Sequence, residues 1–253
     1  MFLVGDPKKS IRIGELFIPF DSFNKRMMLF CTPLIFESPP IEGAENYIYS
    51  RTGTVTLLKY KGSFFVVTAK HCLEGFNCED IRIFPGSSPI KSLPLNARFF
   101  VNNQPDEEID DVYIYRVDNT LDLNLKTYFF PLSAKDNNTQ KLISSFMVSD
   151  PRQEGDINYD EPHIKGICAM PACQIDLEYK SYAKFYKKAT FKKPLNHTLD
   201  GASGGAMFSI MGEIDNPYVE YEGMIVRGNE EAFHFIDSQF IIKSLDYVVE
   251  QGG

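Results

Sequence analysis

Residues 54–72 read TVTLLKYKGSFFVVTAKHC. Thr54–Tyr60 alternates loosely between apolar and polar residues, Lys61-Gly62 reverses the chain, and Ser63–Thr68 returns as a continuous apolar run rich in β-branched and aromatic residues. That is a hairpin with one half-buried and one fully buried strand. The pattern recurs. Strands are predicted at Ile81–Phe84, Ala97–Val101, Val112–Val117, Leu142–Val148, Ile167–Leu177, Ala206–Ile210, Tyr218–Val226 and Phe233–Ile236. Turn residues separate them at Pro85-Gly86, Asn102-Asn103, Asp118-Asn119, 136–138 and Asp215-Asn216-Pro217. Many short strands at regular spacing specify barrels or a sandwich. Only the end has a helical period: from Asp237 onward Phe240, Ile241, Leu245 and Val248 (or Val249) share one face, with Asp237 or Ser238 as cap.

Composition agrees. The 253 residues include 21 Phe and 13 Tyr but no Trp, so the core is aromatic and strand-forming. With 26 basic against 34 acidic residues the net charge is −8, which argues against nucleic-acid binding, where basic surface must displace phosphate counterions. No apolar run reaches the ~18–20 residues of a membrane-spanning helix, and the start, Met1-Phe2-Leu3-Val4-Gly5-Asp6, is too short for a signal-peptide core. Five cysteines (Cys31, Cys72, Cys78, Cys168, Cys173), an odd number with no CxxC pair, read as reduced thiols in a cytoplasmic protein. No metal-ligand spacing and no cofactor motif stands out, so neither is expected. The chain divides into an arm (1–43, ending in Pro39-Pro40-Ile41-Glu42-Gly43), a first β-domain (44–120), a second (121–236) and a terminal helix (237–253).

Three short stretches carry chemistry. VVTAKHC (66–72) ends a buried strand in a small residue and a histidine. DDVYIYRV (110–117) sets a carboxylate directly before an alternating strand. DGASGG (200–205) holds a serine in a glycine turn ahead of Ala206–Ile210. A serine hydroxyl is a weak nucleophile until a base takes its proton, and histidine titrates near neutrality. A buried aspartate fixes the imidazole tautomer and stabilises the imidazolium. Glycine at 201 lets the N–H groups of Gly201 and Ser203 face a developing oxyanion. The order His, Asp, Ser spaces the groups 40 and then 92 positions apart, enough chain to close one barrel and build most of another.

On these blocks the sequence resembles the trypsin-like (chymotrypsin-fold) serine proteases. VVTAKHC is similar to the family's Thr/Ser-Ala-Ala-His-Cys block, DDVYIYRV to Asp-Ile-Ala-Leu, and GASGG to Gly-Asp-Ser-Gly-Gly. Tyr221–Gly228 is similar to the substrate-pairing strand, and FHFIDSQFIIKSL (233–245) to the final strand and helix, especially in the HtrA branch. The resemblance spans Gly53 to Val249. It implies two six-stranded Greek-key β-barrels with a C-terminal α-helix, and a triad of His71, Asp111 and Ser203. Asp111 is preferred to Asp110 because the family's aspartate stands immediately before the strand. It also implies an oxyanion hole at Gly201 and Ser203, and substrate contacts from His197, Thr198, Val226, Arg227 and Gly228, with Ala232 or Phe233 beside them. The expected activity is a serine endopeptidase acting on protein or peptide, with a regulatory protein as a further partner. The alternative is a catalytically silent binding module of the same fold.

Two departures bear on activation and redox state. Where secreted members carry the aspartate that pairs with a freed N-terminal ammonium, this chain has Ala202. The usual disulfide partner of the cysteine after the histidine is missing, so Cys72 is expected as a free thiol. With His197 and Thr198 in place of the aspartate that selects Lys or Arg, and Arg227 nearby, the resemblance implies a preference for acidic or amide side chains. His163 and His234 read as structural or surface residues. The basic stretch Lys184–Lys188 with Lys192-Lys193 reads as a solvated loop, or else as a docking patch for an acidic partner.

Overall fold

A computed structural model describes residues 9–38, 48–85, 92–100, 111–133, 141–151, 157–158, 163–164, 169–180, 184–196 and 198–251. In chain order the elements are β1 (Ser10–Ile13), β2 (Leu16–Pro19), α1 (Phe23–Met28), β3 (Cys31–Ser38), β4 (Ile48–Tyr60), β5 (Ser63–Thr68), β6 (Ile81–Arg82), β7 (Leu95–Phe100) and β8 (Tyr113–Val117). There follow α2 (Leu123–Lys126), β9 (Phe130–Pro131), β10 (Leu142–Val148), β11 (Ile157–Asn158), β12 (His163–Ile164), β13 (Ala172–Ile175), β14 (Tyr186–Phe191), β15 (Ala206–Glu213), β16 (Asn216–Gly228), β17 (Ala232–Asp237) and α3 (Ser238–Gln251).

The β4–β5 hairpin reverses at Lys61 and Gly62, both at positive φ (47° and 82°), a two-residue turn whose twist matches the strands it joins. From it the first sheet grows in the order β6-β3-β4-β5-β8-β7. Three hairpin-connected strands followed by a fourth lying beside the first make a Greek key. The sheet curls into a half-barrel whose edges, β6 and β7, do not pair with each other among the described residues. The second sheet runs β15-β10-β13-β14-β17-β16, and β16 pairs back onto β15, so these six antiparallel strands form a closed barrel. It too contains the Greek-key order, with β15 returning beside β10. The all-β fold with two barrel-like halves and a terminal helix is thus as expected.

The helix α3 begins where Asp237 Oδ1 accepts the Gln239 N–H at 2.8 Å, and it buries Phe240, Ile241, Leu245 and Val248 as its periodicity requires. Around the expected arm the structure differs in detail. β1 lies parallel to β16 (Arg12 opposite Tyr218) and β2 extends that sheet, whereas β3 pairs with β4 over eight residues in the first sheet. The division expected at residue 43 therefore falls in the connection between two paired strands. The basic stretch also departs from its loop reading: Tyr186–Phe191 is a strand, because Ala189 and Phe191 turn into the barrel while Lys188 and Thr190 turn out.

Two apolar clusters result. Met147, Cys173, Ala189, Phe191, Ala202, Met207, Ile225, Phe233 and Phe235 belong to one in the closed barrel. The larger one fills the half-barrel and continues through Phe130, Phe146, Phe208 and Tyr221 into α3. Phe208 is its hinge point, with ring centroids 5.0 Å from Phe130, 5.7 Å from Tyr221 and 5.8 Å from Phe146. Such ring pairs contribute about 0.5–1.5 kcal/mol each beyond area burial. No helix among the described residues is long and apolar enough to cross a membrane.

Candidate active site

The strand pairing brings the histidine to the carboxylate. Thr68, the last residue of β5, lies opposite Tyr113, the first of β8. The chain leaving β5 turns at once into a 3₁₀ turn, Lys70–Leu73, while Asp111 stands two residues before β8. The Asp111 carboxylate accepts from the His71 backbone N–H at 3.0 Å and lies 2.8 and 3.0 Å from Nδ1. This geometry assigns the Nδ1 proton to the shared hydrogen bond and leaves Nε2 outward. The His71 side chain is 42% exposed and that of Asp111 22%. The bond to Asp111, with Cys72 alongside, raises the His71 pKa to about 10.

The serine turn is built from the closed barrel and clamped by the half-barrel. Ala202 is buried in the closed-barrel core, which turns Ser203 the other way. Gly201 and Gly204 take φ of 80° and 88°. A Cβ on Gly204 would stand 1.9 Å from the Thr54 carbonyl, so only glycine fits there. Within the turn Ala202 N–H donates to Leu199, Gly205 N–H to Ala202 and Gly204 N–H to Ile225, whereas the N–H groups of Gly201 and Ser203 donate to nothing among the described residues. From β4, Thr54 N–H donates to the Ser203 carbonyl at 2.9 Å, Thr54 Oγ1 to the Gly201 carbonyl at 2.7 Å, and Thr56 Oγ1 to the Gly204 carbonyl at 2.8 Å. Thr68 Oγ1 in turn donates to the Thr54 carbonyl at 2.8 Å.

This clamp has a charged anchor. The Arg51 guanidinium donates to the carboxylate and carbonyl of Asp150 and, at 3.2 Å, to the Pro151 carbonyl, with both ionised side chains almost wholly buried. Asp150 N–H donates to Thr54 Oγ1 at 3.0 Å, so the pair is tied to the same threonine that holds the turn. These residues went unread in the sequence. Their signal in β4 is Arg51 followed by threonine at alternate positions 52, 54 and 56, an inward polar stripe that alternation alone does not distinguish from an outward one.

The two halves touch at the site. Cys72 Sγ lies 3.8 Å from the Ser203 carbonyl, and a Cβ on Gly53 would come within 2.6 Å of that sulfur and 3.1 Å of that oxygen. The serine and histidine turns therefore share one contact, through the residue after His71. The Ser203 hydroxyl itself donates to the Val226 carbonyl on β16 at 2.8 Å and not to His71.

Of the expected substrate-contact residues, Val226, Arg227 and Gly228 lie together at the end of β16, Val226 buried and Arg227 and Gly228 exposed. Thr198 is exposed and its hydroxyl donates to Asp200 at 3.3 Å. Phe233 is fully buried in the closed barrel, so it does not line an open cleft. His197, Asp110 and Cys168 lie outside the described residues, as does the side chain of His163. Cys31, Cys72, Cys78 and Cys173 are free thiols; burial raises the pKa of Cys31 and of Cys173 to about 12, which keeps both protonated and inert. Among the described residues no three His, Cys, Asp or Glu side chains gather as a metal site. No protein-family model matches the chain, and comparison with curated proteins finds no match.

Proposed function

We propose that the chain is a serine endopeptidase in which Ser203 is the nucleophile, His71 the base and Asp111 the group that orients it. The observation that carries this reading is the His71 Nδ1–Asp111 bond at 2.8 Å, set beside a serine turn with two unspent N–H groups and joined to it through Cys72. In the reaction so read, Ser203 Oγ bonds to the scissile carbonyl carbon as its proton passes to His71 Nε2. The tetrahedral oxyanion takes hydrogen bonds from Gly201 and Ser203 N–H. The C–N bond then breaks, His71 gives the proton to the leaving amine, and an acyl ester on Ser203 remains. Water attacks that ester with His71 again taking a proton, which returns to Ser203 as the acid departs. The substrate is a protein or peptide lying beside Val226–Gly228. The resemblance and the cysteine usage support a cytoplasmic setting with a regulatory protein as partner.

A second reading, a silent binding module, is favoured by one observation: the Ser203 hydroxyl is spent on the Val226 carbonyl. A fluorophosphonate probe separates the two. An active enzyme is labelled at Ser203, and Ser203→Ala or His71→Ala lowers kcat/KM by roughly 10³-fold or more with the fold intact. Absence of labelling under conditions where trypsin-like enzymes react would leave the binding module, and full activity in either variant would overturn the triad assignment.

A further inference from the structure

Beyond the triad, the register of three strands lines up two cations with a histidine between them. Arg227 on β16 stands opposite His234 on β17, and His234 stands opposite Lys188 on β14. Residues directly opposite share one face of a sheet, with Cβ atoms about 4.5–5.5 Å apart, and like charges so placed repel. His234 between them is disfavoured as a cation, first by burial and then by Arg227 and Lys188. Among the described residues none of the three makes an ion pair, and the nearby Asp176 accepts from the Glu178 N–H instead. The cations are held in place without being neutralised. Arg227 lies 5.7 Å over the Tyr186 ring and Lys188 5.9 Å over the Tyr179 ring, and the same two tyrosines pack on His234 at 6.4 and 5.4 Å. Aromatic faces attract a cation yet leave its hydrogen-bond donors free. All this occurs on a chain of net charge −8, where a surplus of carboxylates was available to offset it.

We infer that Arg227, His234 and Lys188 form a recognition row for an acidic side chain of an extended peptide substrate. The row starts one residue past the carbonyl that holds Ser203, about 3.3 Å of strand further along β16. A peptide lying along the end of β16 therefore sets one of its side chains over the row while its backbone stays beside the serine. A carboxylate there takes hydrogen bonds from Arg227 and Lys188 and removes the mutual repulsion of the row, whereas an amide of equal size gains only the hydrogen bonds. As an account of substrate choice the inference rests on the endopeptidase reading; as a binding site it does not.

Two measurements on the full chain keep these apart. Binding is read on the Ser203→Ala protein at low salt, by fluorescence anisotropy, with a labelled decapeptide of alternating Glu and Ala, its Gln counterpart and a single-stranded DNA decamer. The Glu peptide is expected to bind about tenfold tighter than the Gln peptide, at roughly two- to fivefold per cation, and the preference is lost or inverted in Arg227→Glu/Lys188→Glu. Cleavage is read with a peptide library on the wild-type protein, where Asp and Glu are expected to be enriched at one position near the cut and replaced there by Lys and Arg in the same double variant. Acid-selective binding without any cleavage upholds the row and removes the endopeptidase reading. Equal binding of the Glu and Gln peptides, binding of the DNA alone, or a cleavage profile unmoved by the charge reversal overturns the row.

Discussion

His71 is held by its aspartate as a cation: with its pKa near 10 against an ordinary 6.5, the imidazole keeps its proton at neutral pH in the free protein. The free-energy sign follows. A raised folded-state pKa contributes stability that is complete below about pH 6.5 and is lost as pH rises through about 10. Because the side chain is 42% exposed, solvent screens that contribution, and activity is the better readout. On the endopeptidase reading kcat/KM climbs with pH through the neutral range toward about 10, since the neutral imidazole is the base. Asp111→Asn moves the climb down toward pH 6.5 and lowers its ceiling. An NMR titration of His71 with a midpoint near 6.5 in the wild-type protein would contradict the assignment. At this scale the sequence was most informative. A histidine after a buried strand and an aspartate before one are forced together by strand pairing, so local context and order sufficed. The hydroxyl's turn toward Val226 was not legible, because a rotamer answers to acceptors that only the assembled fold supplies.

For the elements, the main lesson lies in β14. Its Lys187-Lys188 pair masks an inward alternation of Ala189 and Phe191, and charge at the strand's start outweighed the period. β1 and β2 were missed for a different reason: the sheet they join is built from residues distant in sequence, so no local signal announces it, whereas β3 pairs with the next strand, β4. β4 carries a prediction of its own. Its threonines, not its apolar residues, decide where the serine turn sits. Thr54→Val keeps the β-branched shape but deletes the hydroxyl that donates to Gly201 and accepts from Asp150. It is expected to cost about 1–3 kcal/mol in urea unfolding and to slow fluorophosphonate labelling of Ser203 by roughly tenfold or more. Labelling at the wild-type rate in a folded Thr54→Val protein would show that the clamp holds the fold and not the site.

At the level of the molecule, the halves are joined by aromatic rings. Phe208 comes from the closed barrel and Phe130 from the strand that pairs with β4, and both are buried. Phe208→Ala removes a fully buried ring from the middle of this cluster and is expected to cost about 3–5 kcal/mol. Both halves should lose that stability together, as one urea transition seen alike by far-UV circular dichroism and by tyrosine fluorescence. Two separated transitions would mean that the ring cluster does not couple them. Composition foretold an aromatic, strand-built core, but which phenylalanines span the halves depends on the register of distant strands.

The parallel pairing of β1 with β16 has a consequence for the timing of synthesis. Arg12 leaves the ribosome about 200 residues before its partner Tyr218, which at roughly 5–20 residues per second is a wait of about 10–40 s. Throughout that interval Ile11, Ile13, Leu16 and Phe17 have no sheet to join. The nascent chain thus carries an apolar hairpin without its sheet partner while the first Greek key assembles behind it. Holdase chaperones would meet that segment before β16 is made, and the synthesis of β16 is what releases it.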